Sequence, residues 1–266
     1  MIHPKEINKV ATQYKLKDSQ IEKDYILSWL LLGISRNELL SASLVFKGGT
    51  VLKKVYFPDY RFSEDLDFTL IDDTITNQQL LDEFEKVYAF VKEEANITLQ
   101  FKENNTHTSG SIGFYINYIG PLQANLKSRD VKVDITRGEI LEFPIERKEI
   151  FSTYSDLREE FFSVLCYSLS EVLIEKMTAL MGRTEPRDLY DFWYLTEHEG
   201  LDTERHKPEF ERKARNKEHN PAEFEKKVLA KEKTLEHGWQ KKLENQVSDL
   251  RKFADVFRES KRHFKI

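Results

Sequence analysis

Cysteine is almost absent from the sequence, since one residue of this type, Cys166, stands among 266. A single cysteine cannot form an intramolecular disulfide, and it is too few for a cysteine-rich metal site. It lies within the apolar run 161–169, where a cysteine packs as a small hydrophobic side chain. We therefore expect Cys166 to be buried rather than reactive.

Long hydrophobic runs are also missing. The longest apolar stretch near the start, Tyr25–Ile34, has about half of the ~20 residues that a membrane-spanning helix requires, and no basic leader with a cleavage site precedes it. Charged residues make up 33% of the chain and aromatic residues 12%. This composition is too charged for a membrane protein and too aromatic for a disordered one. It predicts a globular, cytoplasmic protein with no membrane partner.

Charge is distributed unevenly along the chain. The formal net charge is −5, but residues 205–266 contain 18 Lys and Arg against 11 Asp and Glu, a net charge of +7, which leaves −12 for residues 1–204. Such a basic C-terminal quarter is typical of an arm that binds a polyanion. It is also typical of the solvated surface of ordinary helices. Composition alone leaves both interpretations open.

Hydrophobic periodicity divides the chain into a mixed α/β part, up to about residue 160, and an all-helical part after it. In the first part the pattern predicts helices at Asp18–Ile34, at Asn77–Ala95 and from Thr50 to about Pro58, with Asp18 and Thr50 as N-caps. The predicted strands are Ser43–Phe46, Arg61–Leu70, Ile97–Phe101, Ser111–Tyr118 and Val131–Thr136, with a polar loop between the third and fourth. In the second part, Ser168 and Glu171 have the form of a capping box opening a helix to Met181, and Pro186 suits the first turn of a helix through Leu195. Beyond about Pro208 the pattern is helical and polar, with a predicted docking stripe of Trp239, Leu243, Val247, Leu250, Phe253 and Phe257.

Two aspartates, Asp65 and Asp67, stand two residues apart on a predicted strand. Side chains alternate along a strand, so both carboxylates, with Ser63 beside them, project from one face and could bind Mg²⁺. Asp134, on a second strand of the same polarity, could supply a third carboxylate, and three carboxylates from two strands could hold two metal ions. The alternative interpretation is an exposed acidic face of the sheet.

The segment Lys47-Gly48-Gly49-Thr50 precedes a predicted helix. Its glycines would permit a close approach of the backbone, and the N–H groups at the start of a helix can bind a phosphate. The order of residues differs from that of a Walker A loop. A simple turn at the start of a helix would have the same appearance.

A group of charged residues marks the two predicted helices of the second part, namely Lys176, Arg183, Arg187, Asp188 and Asp191. They could form ordinary salt bridges between the helices. In a nucleotide site, Lys176 would neutralise a triphosphate, and Asp188 would orient Arg187 or Arg183. The sequence is compatible with both roles.

In their order along the chain, these motifs resemble those of the AbiEii/AbiGii-type nucleotidyltransferase toxins of bacterial type IV toxin–antitoxin systems. The similar stretches are Glu22-Lys23-Asp24-Tyr25, Phe46-Lys47-Gly48-Gly49-Thr50, Arg61–Phe68, Val133-Asp134-Ile135, Glu175-Lys176 and Arg183–Asp191. The blocks Arg61–Phe68 and Arg187–Asp191 are the most specific. One departure is Gly49-Thr50, where many nucleotidyltransferases have Gly-Ser, and threonine keeps the hydroxyl.

The resemblance implies an α+β fold. Its first domain, residues 1–160, would be a DNA polymerase β-like nucleotidyltransferase domain with a mixed sheet. Its second, residues 161–266, would be an all-helical C-terminal domain that contributes to the nucleotide site and to RNA binding. Motifs and resemblance together give Asp65, Asp67, Asp134 and Lys176 as catalytic candidates, the three aspartates as metal ligands, and as nucleotide-binding candidates Lys47, Gly48, Gly49, Thr50, Ser63, Lys176, Arg183, Arg187, Asp188 and Asp191.

The predicted function is Mg²⁺-dependent nucleotidyl transfer, with two ions and an NTP substrate. The resemblance implies transfer of NMP to the 3′ end of an RNA, with tRNA favoured, so that translation and growth are inhibited. It also implies a cognate antitoxin from the same operon that need not touch the toxin. Two alternatives remain: the same chemistry on a protein or small molecule, and a catalytically inactive module that binds a partner through the acidic strand face.

Overall fold

The computed structural model describes residues 1–106 and 110–266. The chain divides into two compact units: unit 1 comprises residues 1–139 and 145–166, and unit 2 comprises residues 140–144 and 167–266. The division near the middle of the chain falls after Cys166 rather than at residue 160, because Ser163–Cys166 forms a strand in the sheet of unit 1.

Unit 1 contains one mixed sheet and the helices that cover it. The helices are α1 (Pro4–Tyr14), α2 (Asp18–Arg36), α3 (Glu38–Ser43), α4 (Gly48–Val51, continued by a π-helical turn over Leu52–Tyr56) and α5 (Asn77–Ala95), with a 3₁₀ turn at Leu126–Ser128. The strands are β1 (Leu44–Lys47), β2 (Asp65–Leu70), β3 (Thr98–Thr106), β4 (Ile112–Ile119), β5 (Asp130–Thr136), β6 (Glu146–Glu149) and β7 (Ser163–Cys166). Their order is β3-β4-β5-β2-β1-β7-β6. The pairs β2–β5 and β1–β7 are parallel, and the other pairs are antiparallel.

The alternating pattern predicted for β5 is confirmed. Val131, Val133 and Ile135 are at most 1% exposed, whereas Lys132 and Asp134 between them are half-buried. This is the burial expected of a strand with one face packed against a core. The polar loop predicted before β4 includes residues 107–109, which lie outside the described ranges, and residues 102–106 extend β3 instead.

The strand predicted at Arg61–Leu70 is shorter than expected. It begins at Asp65, so Arg61 and Ser63 lie before the strand, although both are buried. On one side of β2, β1 ends at Lys47, which pairs with Asp67, and the chain then turns into α4. Residues before Asp67 therefore have no partner in β1, and pairing with β5 alone extends the strand back to Asp65.

Helix α2 is buried along most of its length, so the polar residues that it carries need partners inside the protein. Asp24 accepts a hydrogen bond from the Tyr154 hydroxyl at 2.8 Å and pairs with Lys54 Nζ at 2.8 Å. Glu22 pairs with Arg129 and accepts from the backbone N–H of Leu122. The helix begins as predicted, but Lys17 is the N-cap and Asp18 is the first helical residue.

Cys166 is buried, as predicted, at the end of β7. Burial raises the pKa of its thiol to about 11. The thiol therefore stays protonated near neutral pH, and such thiols are inert. Within the ranges that the structure covers, no helix is both long enough and apolar enough to span a membrane.

Unit 2 is helical, as predicted for the C-terminal part. Its elements are α6 (Leu169–Gly182), α7 (Pro186–Trp193, continued by a π-helical turn over Tyr194–His198), α8 (Lys207–Asn216), α9 (Phe224–Ala230), α10 (Glu232–Leu243) and α11 (Phe253–Ser260), with 3₁₀ turns at Pro221–Glu223 and Lys261–His263. The predicted apolar stripe spans two helices. Trp239, Leu243, Phe253 and Phe257 are buried on α10 and α11, while Val247 and Leu250 in the segment between these helices are half-buried.

The start of α6 differs from the predicted capping box. The Ser168 hydroxyl caps the helix, since it accepts from the backbone N–H of Glu171 at 3.2 Å. The Glu171 carboxylate does not return to Ser168. It accepts from the backbone N–H groups of Glu142 and Phe143, both at 2.9 Å, and pairs with Lys213 Nζ at 2.7 Å. These bonds attach the segment 140–144 to the helices of unit 2.

Candidate active site

The three predicted carboxylates lie in unit 1, on two neighbouring parallel strands. The register pairs Asp67 of β2 with Asp134 of β5, and Asp65 of β2 with Lys132 of β5. Residues paired in this way project to the same face of a sheet, so Asp65, Asp67 and Asp134 share one face. All three are half-buried, which leaves part of each side chain accessible to solvent.

Two glycines leave room for these carboxylates. Gly48 has a φ of +78°, and a Cβ at this position would overlap the Asp67 carboxylate. Gly113 of β4 pairs with Asp134, and a Cβ there would lie 2.5 Å from Asp134 Oδ1. Gly113 was not among the residues predicted from the sequence. The signal that could have identified it is a glycine inside a strand, which often marks a close approach of another group.

A lysine shares the face of the carboxylates. Lys132 Nζ lies 2.6 Å from Asp134 Oδ2, and Asp65 is its partner in the strand register. Partial burial by itself would lower the pKa of Lys132, but the hydrogen bond to Asp134 and the charges of Asp134 and Asp65 hold that pKa above its ordinary value. Alternation along β5 predicts that Lys132 shares the face of Asp134, but it indicates no role for the lysine.

The helix after β1 begins two residues earlier than predicted. Gly48 is its first residue and Lys47 its N-cap, so Thr50 lies inside the first turn and does not cap it. The positive φ of Gly48 allows the chain to pass directly from strand to helix. The Thr50 hydroxyl instead donates to the backbone carbonyl of Asp65 at 2.6 Å. This bond holds the start of β2, the strand that carries two of the carboxylates.

Three other predicted nucleotide-binding residues lie near this turn. Lys47 is 7% exposed and pairs with Asp67 in the register, and its Nζ lies 3.2 Å from Thr136 Oγ1 and 3.8 Å from Glu139 Oε2. Gly49 is buried in α4, and Ser63 is buried just before β2. Lys47, Asp67, Asp134 and Gly113 are consecutive partners across β1, β2, β5 and β4, and so form one row.

The chemistry of this row suits a hard cation. Carboxylate oxygens are the ligands that Mg²⁺ prefers, and the register places two of them on adjacent strands, about 5 Å apart at the backbone. The space preserved by Gly48 and Gly113 lies beside these same two carboxylates. In the part of the chain that the structure describes, no group of three or more His, Cys, Asp or Glu side chains is gathered closely enough to hold a metal ion. The donor chemistry therefore fits Mg²⁺ through the pair, and participation of Asp65 stays a prediction.

The charged residues of unit 2 form a compact cluster between α6 and α7. Lys176 Nζ lies 2.9 Å from Asp188 Oδ1 and 2.8 Å from Asp191 Oδ2, and all three side chains are nearly fully buried. Arg183 donates to both oxygens of Asp188, at 2.6 and 3.0 Å, while its own side chain is 64% exposed. Burial alone would raise the pKa of Asp188, but Lys176 and Arg183 hold it below its ordinary value.

The sequence predicts that Asp188 orients either Arg187 or Arg183, and in the structure it binds Arg183. Arg183, at the C-cap of α6, forms the bidentate pair with Asp188. Arg187 lies 3.4 Å from Glu185 Oε1 instead. Of the two alternatives, the structure therefore selects Arg183 as the partner of Asp188, and a nucleotide-binding role for Arg187 stays a prediction.

The basic C-terminal quarter is largely ion-paired. At least ten of its 18 Lys and Arg side chains lie within salt-bridge distance of a carboxylate, many of them in the same quarter. The remainder of unit 2, residues 140–144 and 167–204, contains ten Asp and Glu against three Lys and Arg. The resulting −7 cancels the +7 of residues 205–266, so unit 2 has a formal net charge of zero.

Comparison with known families identifies the class of protein. Residues 29–259 match the family described as nucleotidyl transferase AbiEii toxin of type IV toxin–antitoxin systems. This match covers most of the chain, so the protein belongs to the AbiEii family of nucleotidyltransferase toxins and is a nucleotidyltransferase. The family implies an NTP substrate and an antitoxin partner.

Solved structures support the same architecture. The chain is similar to MenT4, a nucleotidyltransferase toxin from Mycobacterium tuberculosis H37Rv, with a TM-score of 0.70 and 16% identity over 100% of this chain and 89% of MenT4. It is also similar to JHP933 from Helicobacter pylori, with a TM-score of 0.58 and 14% identity over 94% of this chain and 92% of the other. At these identities the similarity concerns the fold, and it confirms the predicted α+β nucleotidyltransferase architecture. A sequence search of curated proteins returned no match.

Proposed function

We propose that this protein transfers NMP from an NTP to the 3′ end of an RNA, with tRNA as the favoured acceptor, in a Mg²⁺-dependent reaction that releases pyrophosphate and inhibits translation. The observation that carries the proposal is the register of β2 and β5, which pairs Asp67 with Asp134 on the face that also carries Asp65. Family membership supplies the reaction class. The paired carboxylates supply a group able to hold the metal that such a reaction uses.

The residues of unit 1 have separate roles in this proposal. Asp67 and Asp134, with Asp65, would hold Mg²⁺, which when bound would stabilise charge on the attacking and leaving oxygens of an in-line displacement. Thr50 fixes the backbone at Asp65 through a hydrogen bond of 2.6 Å. Gly48 and Gly113 keep the volume beside the carboxylates free of side chains. The contacts of Gly48 and Gly49 with a triphosphate stay a prediction.

The nucleotide-binding role of the cluster in unit 2 is part of the proposal and can be tested through Arg183. This side chain is 64% exposed, and Lys176 still neutralises the buried Asp188 when Arg183 is replaced. Arg183→Gln should therefore weaken NTP binding at a smaller cost in stability than a change at Lys176. Lys176 is less suitable for such a test, because it neutralises two buried carboxylates. Unchanged NTP affinity in Arg183→Gln, measured by calorimetry, would argue against a phosphate contact by Arg183.

The acceptor is the least constrained part of the proposal. Binding of RNA through phosphate contacts releases counterions and is therefore weakened by salt. A protein or small-molecule acceptor would be modified by the same chemistry, but the labelled product would resist ribonuclease. The proposal also includes a cytoplasmic location and an antitoxin, encoded beside the toxin, that need not bind it.

The decisive experiment uses the full chain, total RNA, Mg²⁺ and each of the four NTPs in turn, labelled at the α-phosphate. We expect a labelled product with at least one NTP, its loss in EDTA and its degradation by ribonuclease. Sequencing of RNA 3′ ends after expression would then identify the acceptor and the number of nucleotides added. If no NTP labels any product, nucleotidyl transfer to RNA is refuted.

Two variants serve as matched controls for the metal assignment. Asp67→Asn keeps the size of the side chain and removes the charge, and we expect it to abolish transfer. Asp72→Asn makes the same change in an exposed turn after β2, where the carboxylate accepts hydrogen bonds from Thr74, and should leave transfer unchanged. Full activity in Asp67→Asn or in Asp65→Ala would remove that residue from the proposed metal site.

A further inference from the structure

The Lys132 side chain lies on the same face of the sheet as the carboxylates of the proposed metal site. Its Nζ is 2.6 Å from Asp134 Oδ2, and the strand register places it opposite Asp65. Both members of the pair are accessible, with 36% of the Lys132 side chain and 31% of the Asp134 side chain exposed. A positive charge carried by the chain itself therefore contacts a carboxylate that is expected to bind a metal.

The contact between Lys132 and Asp134 offsets repulsion between neighbouring carboxylates. Carboxylates on adjacent strands repel one another unless a cation lies between or beside them. The register brings Asp67 and Asp134 into this relation, with Asp65 two residues before Asp67. Lys132 compensates part of that repulsion, and its ammonium does so at the oxygen atoms that a metal ion would use.

We propose that Lys132 is a positioning residue that acts as a built-in counter-ion: it holds the Asp134 carboxylate and competes with Mg²⁺ for it. This inference rests on the proposed Mg²⁺-dependent function. A metal that binds Asp134 must first displace the ammonium, so part of its binding free energy is used to break the ion pair. Lys132 therefore lowers the affinity of the site for free metal ions, and it keeps the carboxylate in place until one binds.

The size of the effect follows from the exposure of the pair. Ion pairs whose members are about one third exposed contribute at most about 1 kcal/mol because water and salt screen them, so we expect removal of Lys132 to tighten metal binding by about threefold to fivefold. The lysine stem is flexible, which allows the ammonium to move aside without a change in the strand. The effect should shrink as ionic strength rises, since the competing attraction is electrostatic.

The test is a calorimetric titration in which Mn²⁺ alone is added to metal-depleted, full-length protein and the binding affinity is measured. Lys132→Met should bind Mn²⁺ about threefold to fivefold more tightly than the unsubstituted protein. Lys132→Arg, which keeps the charge, should stay within about twofold of the unsubstituted protein. The matched control is Lys86→Met on α5, which removes a lysine in a 2.6 Å pair with Glu83 and should leave the affinity unchanged.

Thermal unfolding, measured with and without Mn²⁺, separates an effect of the substitution on folding from an effect on metal binding. In EDTA, Lys132→Met should unfold at a lower temperature than the unsubstituted protein, and added Mn²⁺ should raise its unfolding temperature by a larger amount. A merely structural lysine would lower the unfolding temperature without changing the response to Mn²⁺, and that result would overturn the inference. So would equal Mn²⁺ affinity in Lys132→Met and the unsubstituted protein.

The outcomes separate this inference from the function on which it rests. If the unsubstituted protein binds no Mn²⁺, the proposed metal site is refuted and the counter-ion role with it. If it binds Mn²⁺ and Lys132→Met binds equally well, only the counter-ion role is refuted.

Discussion

Replacement of Gly113 by alanine would test the carboxylate site without removing any of its chemical groups. The new Cβ would lie 2.5 Å from Asp134 Oδ1, whereas ordinary contacts of a Cβ begin at 3.4 Å. The carboxylate must therefore move by about 0.9 Å, and misplacement of a catalytic group by about 1 Å can reduce a rate by ~100-fold. Asp134 can make this movement because its side chain is 31% exposed.

The same substitution should leave the fold intact. Gly113 lies in β4, where alanine restricts the unfolded chain more than glycine does and so gains about 0.5 kcal/mol of stability. We therefore expect Gly113→Ala to lose about 100-fold in the rate of NMP transfer while its unfolding temperature stays the same or rises. The assay combines single-turnover transfer of labelled NMP with thermal unfolding followed by circular dichroism.

Gly200 provides the opposite control. Its φ is +71° and no atom lies within 4 Å of the place that a Cβ would occupy, so alanine there meets backbone strain but no neighbour. Gly200→Ala should lose about 1 kcal/mol of stability and keep the rate of transfer. A normal rate in Gly113→Ala would refute the reasoning that the position of Asp134 matters. A large loss of stability in Gly113→Ala would refute the reasoning that the carboxylate can move aside.

Three further predictions concern buried charges. Lys176→Met removes the buried cation that pairs with both Asp188 and Asp191, and it should lower the free energy of unfolding in urea by about 3–5 kcal/mol. A variant as stable as the parent would contradict the buried-cluster argument. The pKa of Asp188 lies below its ordinary value of 3.8. Its contribution to stability is therefore present above about pH 4 and is lost as the pH falls through the folded-state pKa, and Asp188→Asn should flatten the acid limb of the pH–stability curve. Burial lowers the pKa of Lys53 from 10.5 to about 8. Between these two pH values the folded state binds fewer protons than the unfolded state, so the free energy of unfolding rises with pH. Lys53→Met should remove that rise, which urea titrations at alkaline pH would measure.

Local features of the fold could be predicted from the sequence because they depend on neighbouring residues. The helix Asn77–Ala95 has the predicted bounds, since Thr76 and Gln79 form a capping box at its start and Asn96 ends it with a positive φ. The burial of Val131, Val133 and Ile135 follows from alternation along one strand. Each of these signals is contained in a window of fewer than about twenty-five residues.

The arrangement of the site depends on partners that are distant in sequence. Asp67 and Asp134 share a row because β2 pairs with β5, and the hairpin of β3 and β4 lies between them in the chain. No local pattern specifies this register. The start of β2 is non-local in the same way, because pairing with β5 begins at Asp65 and leaves Ser63 outside the strand.

Gly48 has a second role besides the phosphate contact that the sequence predicts for it, and that contact stays a prediction. Gly48 was expected to admit a phosphate, and its positive φ is the feature that expectation requires. Its lack of a side chain also accommodates Asp67, which the sequence could not indicate, because Asp67 is reached through strand pairing. Thr50, expected to cap the helix, is used to hold Asp65.

The charge of unit 2 limits how it could bind RNA. The surplus of +7 in residues 205–266 is cancelled by acidic residues within the same unit, so no net positive field remains to attract a polyanion over long distances. Binding would have to rely on individual cations close to phosphates, and each phosphate neutralised contributes about −0.7 to the slope of log K against log salt for a single strand. A shallow slope, corresponding to about two or three phosphates, is therefore expected. A steep slope would mean that many more cations of residues 205–266 reach phosphates, and Arg212, Arg251 and Arg258 could do so by exchanging a carboxylate partner for a phosphate.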